Sequence, residues 1–354
     1  MSEAATLPPA PPAASAVDLP ALEELARKHA GVATRLVGER VLLVPSTPRE
    51  AARALAARES LGEARAAVLV SLEAFDRIEP PDPVSGTVRA GANASVGEIE
   101  ASLRGWGLSL GALSPRARTF GLRQWLESPY AGLRPVAGNR LESAASQLTV
   151  ALRGGGLYVG PATARCSLGP GIDRAFLGLA GQAGIVLEAC LRALPRPDVQ
   201  ATVHAAVDRP EDVAALLRGA LRAEIPVAEA QVQRKSRGYL VDLVVASHAF
   251  RARRDRTALE ELVGHSGEMR TMRRVYERDF AFEGELAWER LPFALAQSGP
   301  VGLYRLSRES LIVAADEPVK GAVDLSAPPA PLPEAFLAAL GPALLPGLAP
   351  EAAS

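Results

Sequence analysis

The sequence predicts an α+β protein of two domains, and three observations carry that expectation. Capped amphipathic helices and short β-rich runs are interleaved up to residue 197. The segment Leu194-Pro195-Arg196-Pro197 then breaks the pattern as a domain boundary would. Beyond it the order becomes β-α-β-β-α-β, which predicts a smaller ferredoxin-like sandwich of helices on an antiparallel sheet.

In chain order, residues 1–17 are Ala/Pro-rich and are expected to be disordered. Pro20–His29 reads as a helix with Leu22, Leu25 and Ala26 on one face, and Arg40–Val44 as a strand. Thr47-Pro48-x-Glu50 is an N-terminal helix signature, with a capping hydroxyl, proline at the first helical position and an acid at the third. That helix runs to about Arg58, and Ala67–Val70 is the next strand. Turn residues Asp82–Gly86 lead into a strand at Thr87–Ala90, and Ser95 with Glu98 caps a helix to Trp106. Gln147–Leu152 and Leu157–Val159 flank Arg153-Gly154-Gly155-Gly156 as a hairpin. Asp173–Leu179 reads as a short helix and Gly184–Ala193 as a strand.

In the second half, strands are expected at Ala201–Val207, Ala228–Gln233, Tyr239–Ala246, Val301–Leu306 and Leu311–Ala314. Helices are expected at Pro210–Ala223 and Arg254–His265. Residues 327–333 are Pro-rich and precede a short helix near Glu334–Leu340. The domain expectation is therefore 18–197, then 198–326, with 327–354 as a tail. No internal repeat is legible.

Composition narrows the function. With 354 residues, 48% of them hydrophobic, the chain can bury a large core. A net charge of -1 gives no electrostatic reason to expect nucleic acid or an acidic membrane as partner. No apolar run reaches the length of a membrane span, and the N-terminus has no secretory pattern, so the expected location is cytoplasmic. Cys166 and Cys190 form no C-x-x-C pair, and a reduced pair is the expectation. His29, His204, His248 and His265 are scattered, so no metal site is expected.

Motif order then points to one family. Val68–Leu72 and Phe75–Ile78 give a strand followed by a small loop. The run Asp82–Gly91 is followed by the helix Val96–Leu103 and by Trp106-Gly107-Leu108. Further on stand Ala131-Gly132-Leu133-Arg134-Pro135 and Gly138, Arg165-x-x-x-Gly169, and Phe176-Leu177-Gly178-x-x-Gly181-x-x-Gly184-Ile185-Val186-x-Glu188. Over roughly Val41–Pro197 this resembles the PCMH-type FAD-binding domain of vanillyl-alcohol-oxidase-like flavoproteins, with the glycolate oxidase FAD-binding subunits most similar. The resemblance implies a domain of two α+β subdomains followed by a smaller cap domain. It implies non-covalent FAD at Gly121, Arg123, Gly132, Arg165, Gly169, Gly178, Gly181, Gly184 and Ile185. It also implies oxidation of a 2-hydroxy acid, with other oxidase subunits, flavoprotein or iron–sulfur, as partners. Glycines at 178, 181 and 184 would let backbone N–H groups approach a flat ligand; turns between a helix and a strand would explain them as well. Arg234, Lys235, Arg237 and Tyr239 are candidate contacts for a substrate carboxylate, or else a solvated turn.

The sequence departs from this family at three places. The bridge Glu59–Ala66 is too short for the strand and glycine-rich loop that hold the FAD diphosphate, so that element reads as deleted. Arg123-Gln124 stands where the family has two glycines; these side chains either fill the flavin pocket or, through Arg123, hold a phosphate. Leu179-Ala180 and Pro170-Gly171 thin the polar contacts further. Three functions stay open at this point: a flavin oxidoreductase, a member of the fold that has lost FAD and acts as a binding or scaffold subunit, and a nucleotide or CoA binder. No catalytic base is named.

Overall fold

The computed structural model describes residues 18–111, 115–127, 145–161, 173, 176–178, 181–264, 282–304 and 310–324. The expected disordered N-terminus, the Pro-rich linker and the last helix lie outside the described residues, as do Leu179, Arg305 and Leu306. The chain divides into two units: Met1–Ala74 with Ala151–Leu157, and Phe75–Val150 with Tyr158–Ser354.

The first unit is built on helix α1 (Leu19–Ala30), strands β1 (Ala33–Val37) and β2 (Arg40–Val44), helix α2 (Pro48–Ser60) and strand β3 (Val68–Val70). Asp18 caps α1 through the Ala21 N–H, and Gly31 closes it in the left-handed conformation at φ 60°. Thr47 caps α2 through the Glu50 N–H. β2 pairs antiparallel with β1 and parallel with β3. Leu22, Ala26 and Ala30 of α1 pack with Ala54 and Ala57 of α2 onto Val41, Leu43 and Val68. β1 was not legible in the sequence: it is an edge strand with Leu36 and Val37 exposed, so its burial pattern lacks alternation.

The second unit opens with β4 (Thr87–Gly91), α3 (Val96–Arg104), β5 (Leu108–Ser109), α4 (Pro115–Thr119) and α5 (Leu122–Glu127). There follow β6 (Ala145–Leu152), β7 (Leu157–Val159), β8 (Gly184–Arg192) and β9 (Leu194–Pro195). β6 and β7 run as the expected hairpin, although its tip is counted with the first unit. The sheet order is β4-β8-β6-β7, with β5 and β9 paired apart from it. Ser95 and Glu98 form the complete reciprocal capping box at the start of α3. Gly91 is required by close approach: a Cβ there would lie 2.3 Å from the Phe75 carbonyl oxygen.

The rest of the unit comprises β10 (Val199–Val207), α6 (Pro210–Arg222), β11 (Val227–Arg234), β12 (Tyr239–Ser247) and α7 (Ala249–Val263). After these come β13 (Phe282–Ala287), α8 (Leu291–Gln297), β14 (Val301–Tyr304), β15 (Ser310–Ala315) and β16 (Val323–Asp324). The ferredoxin-like expectation is corrected here. The sheet has seven strands in the order β10-β12-β11-β14-β15-β13-β16, and the strand after α7 joins its far half instead of pairing with β10. Two split units, β10-α6-β11-β12 and β13-α8-β14-β15, meet where β11 pairs antiparallel with β14. The fold therefore contains a repeat that the sequence does not show. Val213, Leu217 and Ala220 of α6 and Leu291 and Leu295 of α8 share one core with alternate residues of the sheet. α7 starts at Ala249, not Arg254, because its first turns bury little and so carry no apolar stripe. Among the described residues, no helix is long and apolar enough to cross a membrane.

Candidate functional site

The predicted site residues fall into two groups. Gly132, Arg165 and Gly169 lie outside the described residues. Gly121, Arg123, Gly178, Gly181, Gly184 and Ile185 belong to the second unit, where α5 packs against β8.

Gly121 enters α5 through an antiparallel bridge to Ser95, and the Leu122 and Arg123 N–H groups donate to the carbonyls of Ala94 and Ala92. These bonds fix the start of a short helix whose Leu122, Trp125, Leu126 and Glu127 are buried. Gln124 is exposed, so of the two residues expected to fill the pocket only Arg123 turns inward. Arg123 is engaged within the chain through one of its nitrogens. Its Nε donates to Glu127 Oε2 at 3.0 Å, one helical turn on. The other carboxylate oxygen of Glu127 accepts from the Val186 N–H at 3.1 Å, at the start of β8.

Glu127 is thus a buried carboxylate, 6% exposed at its side chain, in the middle of the predicted cofactor contacts. Burial pushes its carboxyl above the ordinary value, opposed by the Arg123 charge, the Val186 N–H and the Arg123 hydrogen bond. Sequence reasoning missed it; the available signal was the i, i+4 spacing from Arg123 across two buried positions.

The glycines do not stand open either. Gly178 adopts φ 73°, and its N–H is bonded to the Leu126 carbonyl at 2.9 Å. Gly181 adopts φ 74°, and a Cβ there would lie 3.1 Å from Glu127 Oε2. Gly181 therefore makes room for the carboxylate of this chain. Gly184 is buried at the start of β8, and Ile185 beside it is half-buried. Among the described residues, the Gly178 N–H is therefore already bonded within the chain, and the small-residue face at Gly181 abuts Glu127.

In the first unit, α2 passes to β3 through a single 3-10 segment, Gly62–Ala67. Arg58 Nε closes it by donating to the Val68 carbonyl at 2.8 Å, and Arg58 and Arg65 both pair with Glu59. The interval holds one glycine and no strand between α2 and the 3-10 segment.

The second-half candidates separate. Arg234, Lys235 and Arg237 are exposed at the β11–β12 turn, where Arg234 donates to the Ala296 carbonyl and Lys235 to Gln233. Tyr239 belongs to the helix-packed core. His204 and Asp242 face each other across β10 and β12, with Nδ1 and Oδ1 2.5 Å apart. Cys190 is a half-buried free thiol, and Cys166 and His265 lie outside the described residues. Among the described residues no group of three metal-binding side chains occurs.

No protein-family model matches the chain, and no curated protein matches its sequence. Solved structures do match. The α+β fold is first of all a known class, shared with 219 solved chains. Alkyldihydroxyacetonephosphate synthase is similar in two crystal forms, both at 11% identity. One has a TM-score of 0.57 over 77% of this chain and 68% of that one; the other has 0.58 over 86% and 70%. FgChi7B is similar at 11% identity, with a TM-score of 0.51 over 80% of this chain and 74% of its own. At this identity the likeness shows a common fold. It does not reach to a cofactor or a substrate.

Proposed function

We propose that this protein is a member of the PCMH-type FAD-binding fold that has lost its flavin and acts as a non-catalytic binding or scaffold subunit. The observation that carries this reading is the Arg123–Glu127 pair lodged against Gly181 and Val186. Where the resemblance implies a flat ligand against small residues, the chain supplies its own ion pair. The compact 3-10 link between α2 and β3 supports the same reading from the diphosphate side. Function follows the site here, not the fold.

The second reading is a flavin-dependent oxidoreductase acting on a 2-hydroxy acid, as in the glycolate oxidase FAD-binding subunits. The fold likeness and the order of Gly178, Gly181 and Gly184 favour it. Such an enzyme would draw its redox chemistry from the flavin.

Visible absorption and FAD titration of the purified full chain separate the two. The expected result is a colourless protein that leaves FAD fluorescence unchanged. Stoichiometric flavin in the purified protein, bleached anaerobically by glycolate or lactate, would establish the second reading instead.

A further inference from the structure

Helix α7 gathers arginines in its first two turns. Its N-cap residue His248 makes no side-chain bond to it and no acidic residue stands in its first turn, the Ala249 N–H donating to the Asp198 carboxylate at 3.0 Å. Instead, four arginines and one aspartate fall between Ala249 and Arg256, a net of +3 in a chain of net charge -1. Cations at this end oppose the helix dipole. The aspartate does not offset them at the surface: Asp255 is buried, bonded to Ser247 and facing Arg251.

The outer face is built in a specific way. Arg251 is paired with Asp255, and Arg256 with Glu260. Among the described residues Arg253 and Arg254 have no ion-pair partner. They border a shallow hollow of about 550 Å³ whose other walls are Phe250, Thr257, Ala258 and Glu261. Phe250 is 82% exposed, and the His248 ring stacks on it at 5.9 Å with planes 5° apart. Of the 15 residues of α7 only Asp255 and Leu259 are buried, and of its arginines Arg251 donates to the Glu224 carbonyl at 3.3 Å, while Phe250, Arg253 and Arg254 are exposed.

We propose that this face of α7 docks an acidic segment of a partner protein that carries an apolar side chain. Exposed aromatic and arginine side chains are the groups that dominate protein interfaces, because each joins a large contact area to few lost rotamers or to several fixed donors. Phe250 supplies the apolar plate, and Arg253 and Arg254 supply charge to steer and hold carboxylates. The inference holds whether or not a flavin is bound.

The test uses the full chain and a fluorescein-labelled synthetic peptide, Glu-Glu-Leu-Phe-Glu-Asp, read by fluorescence anisotropy. Wild-type protein is expected to bind saturably, more weakly as salt rises, and to ignore the same peptide with lysine at its acidic positions. Phe250→Ser and the pair Arg253→Glu, Arg254→Glu should each weaken binding about tenfold or more while leaving the circular dichroism melt unchanged. Three results would overturn the proposal: no saturable binding, equal affinity in wild type and variants, or binding to phosphatidylserine vesicles without binding to the peptide.

Discussion

Replacing Arg123 by methionine tests the energetic basis of the candidate site. The substitution keeps the aliphatic length and removes the guanidinium that meets Glu127 Oε2 at 3.0 Å. Glu127 then keeps one bond, from the Val186 N–H to Oε1. Removing one partner of a fully buried pair costs roughly 3–5 kcal/mol, and an exposed pair contributes roughly 0–1. Here Glu127 is 6% exposed but Arg123 is 38% exposed, so water already screens one side. Between those limits the expected loss is about 1.5–2.5 kcal/mol at pH 7. With a urea slope of about 3 kcal/mol/M, the unfolding midpoint falls by about 0.5–0.8 M.

The pH dependence fixes the sign. Burial holds the folded Glu127 carboxyl above its ordinary value of 4.5, so the folded state binds that proton more tightly than the unfolded chain. The group therefore contributes stability below about 4.5 that is lost as pH rises through the elevated folded value. Without Arg123 the folded value rises further. The deficit of Arg123→Met should be largest near pH 8 and shrink toward pH 5. Urea titrations at both pH values measure it, and Glu127→Gln in the same background should remove most of the loss, since a neutral amide leaves no charge uncompensated. An equal deficit at both pH values, or one that persists beside Glu127→Gln, would refute the assignment of Glu127 as a buried, Arg-compensated carboxylate.

Two further outcomes test the frame around the site. Gly238→Ala should destabilise the second unit by more than about 2 kcal/mol, measured by urea unfolding, because Gly238 sits at φ 74° and a Cβ would lie 2.3 Å from the Val207 carbonyl oxygen. Leu217→Ala should cost about 2–5 kcal/mol in the same assay, since Leu217 is fully buried where α6 meets the seven-stranded sheet.

The sequence by itself determined the elements whose signals are local. Thr47 and Ser95 announce helix starts through hydroxyls that accept from N–H groups three residues on, and both helices begin there. The strands Arg40–Val44, Thr87–Gly91 and Gly184–Arg192 were legible because one buried face imposes alternation. The short link between Arg58 and Val68 was legible as a length, which no tertiary contact can extend. Only the tertiary structure decided what depends on partners distant in the chain. The sequence predicts that β14 and β15 are strands, but neither β13 beside β15 nor the pairing of β11 with β14 that makes a seven-stranded sheet from two split halves. Glycines 178 and 181 carry the same sequence signal whether they cradle a ligand or fold back on the protein. The carbonyl of Leu126 and the carboxylate of Glu127, more than 50 residues earlier, occupy them here. A backbone donor or a small-residue face is defined by whatever lies opposite, and a linear sequence does not contain that distance.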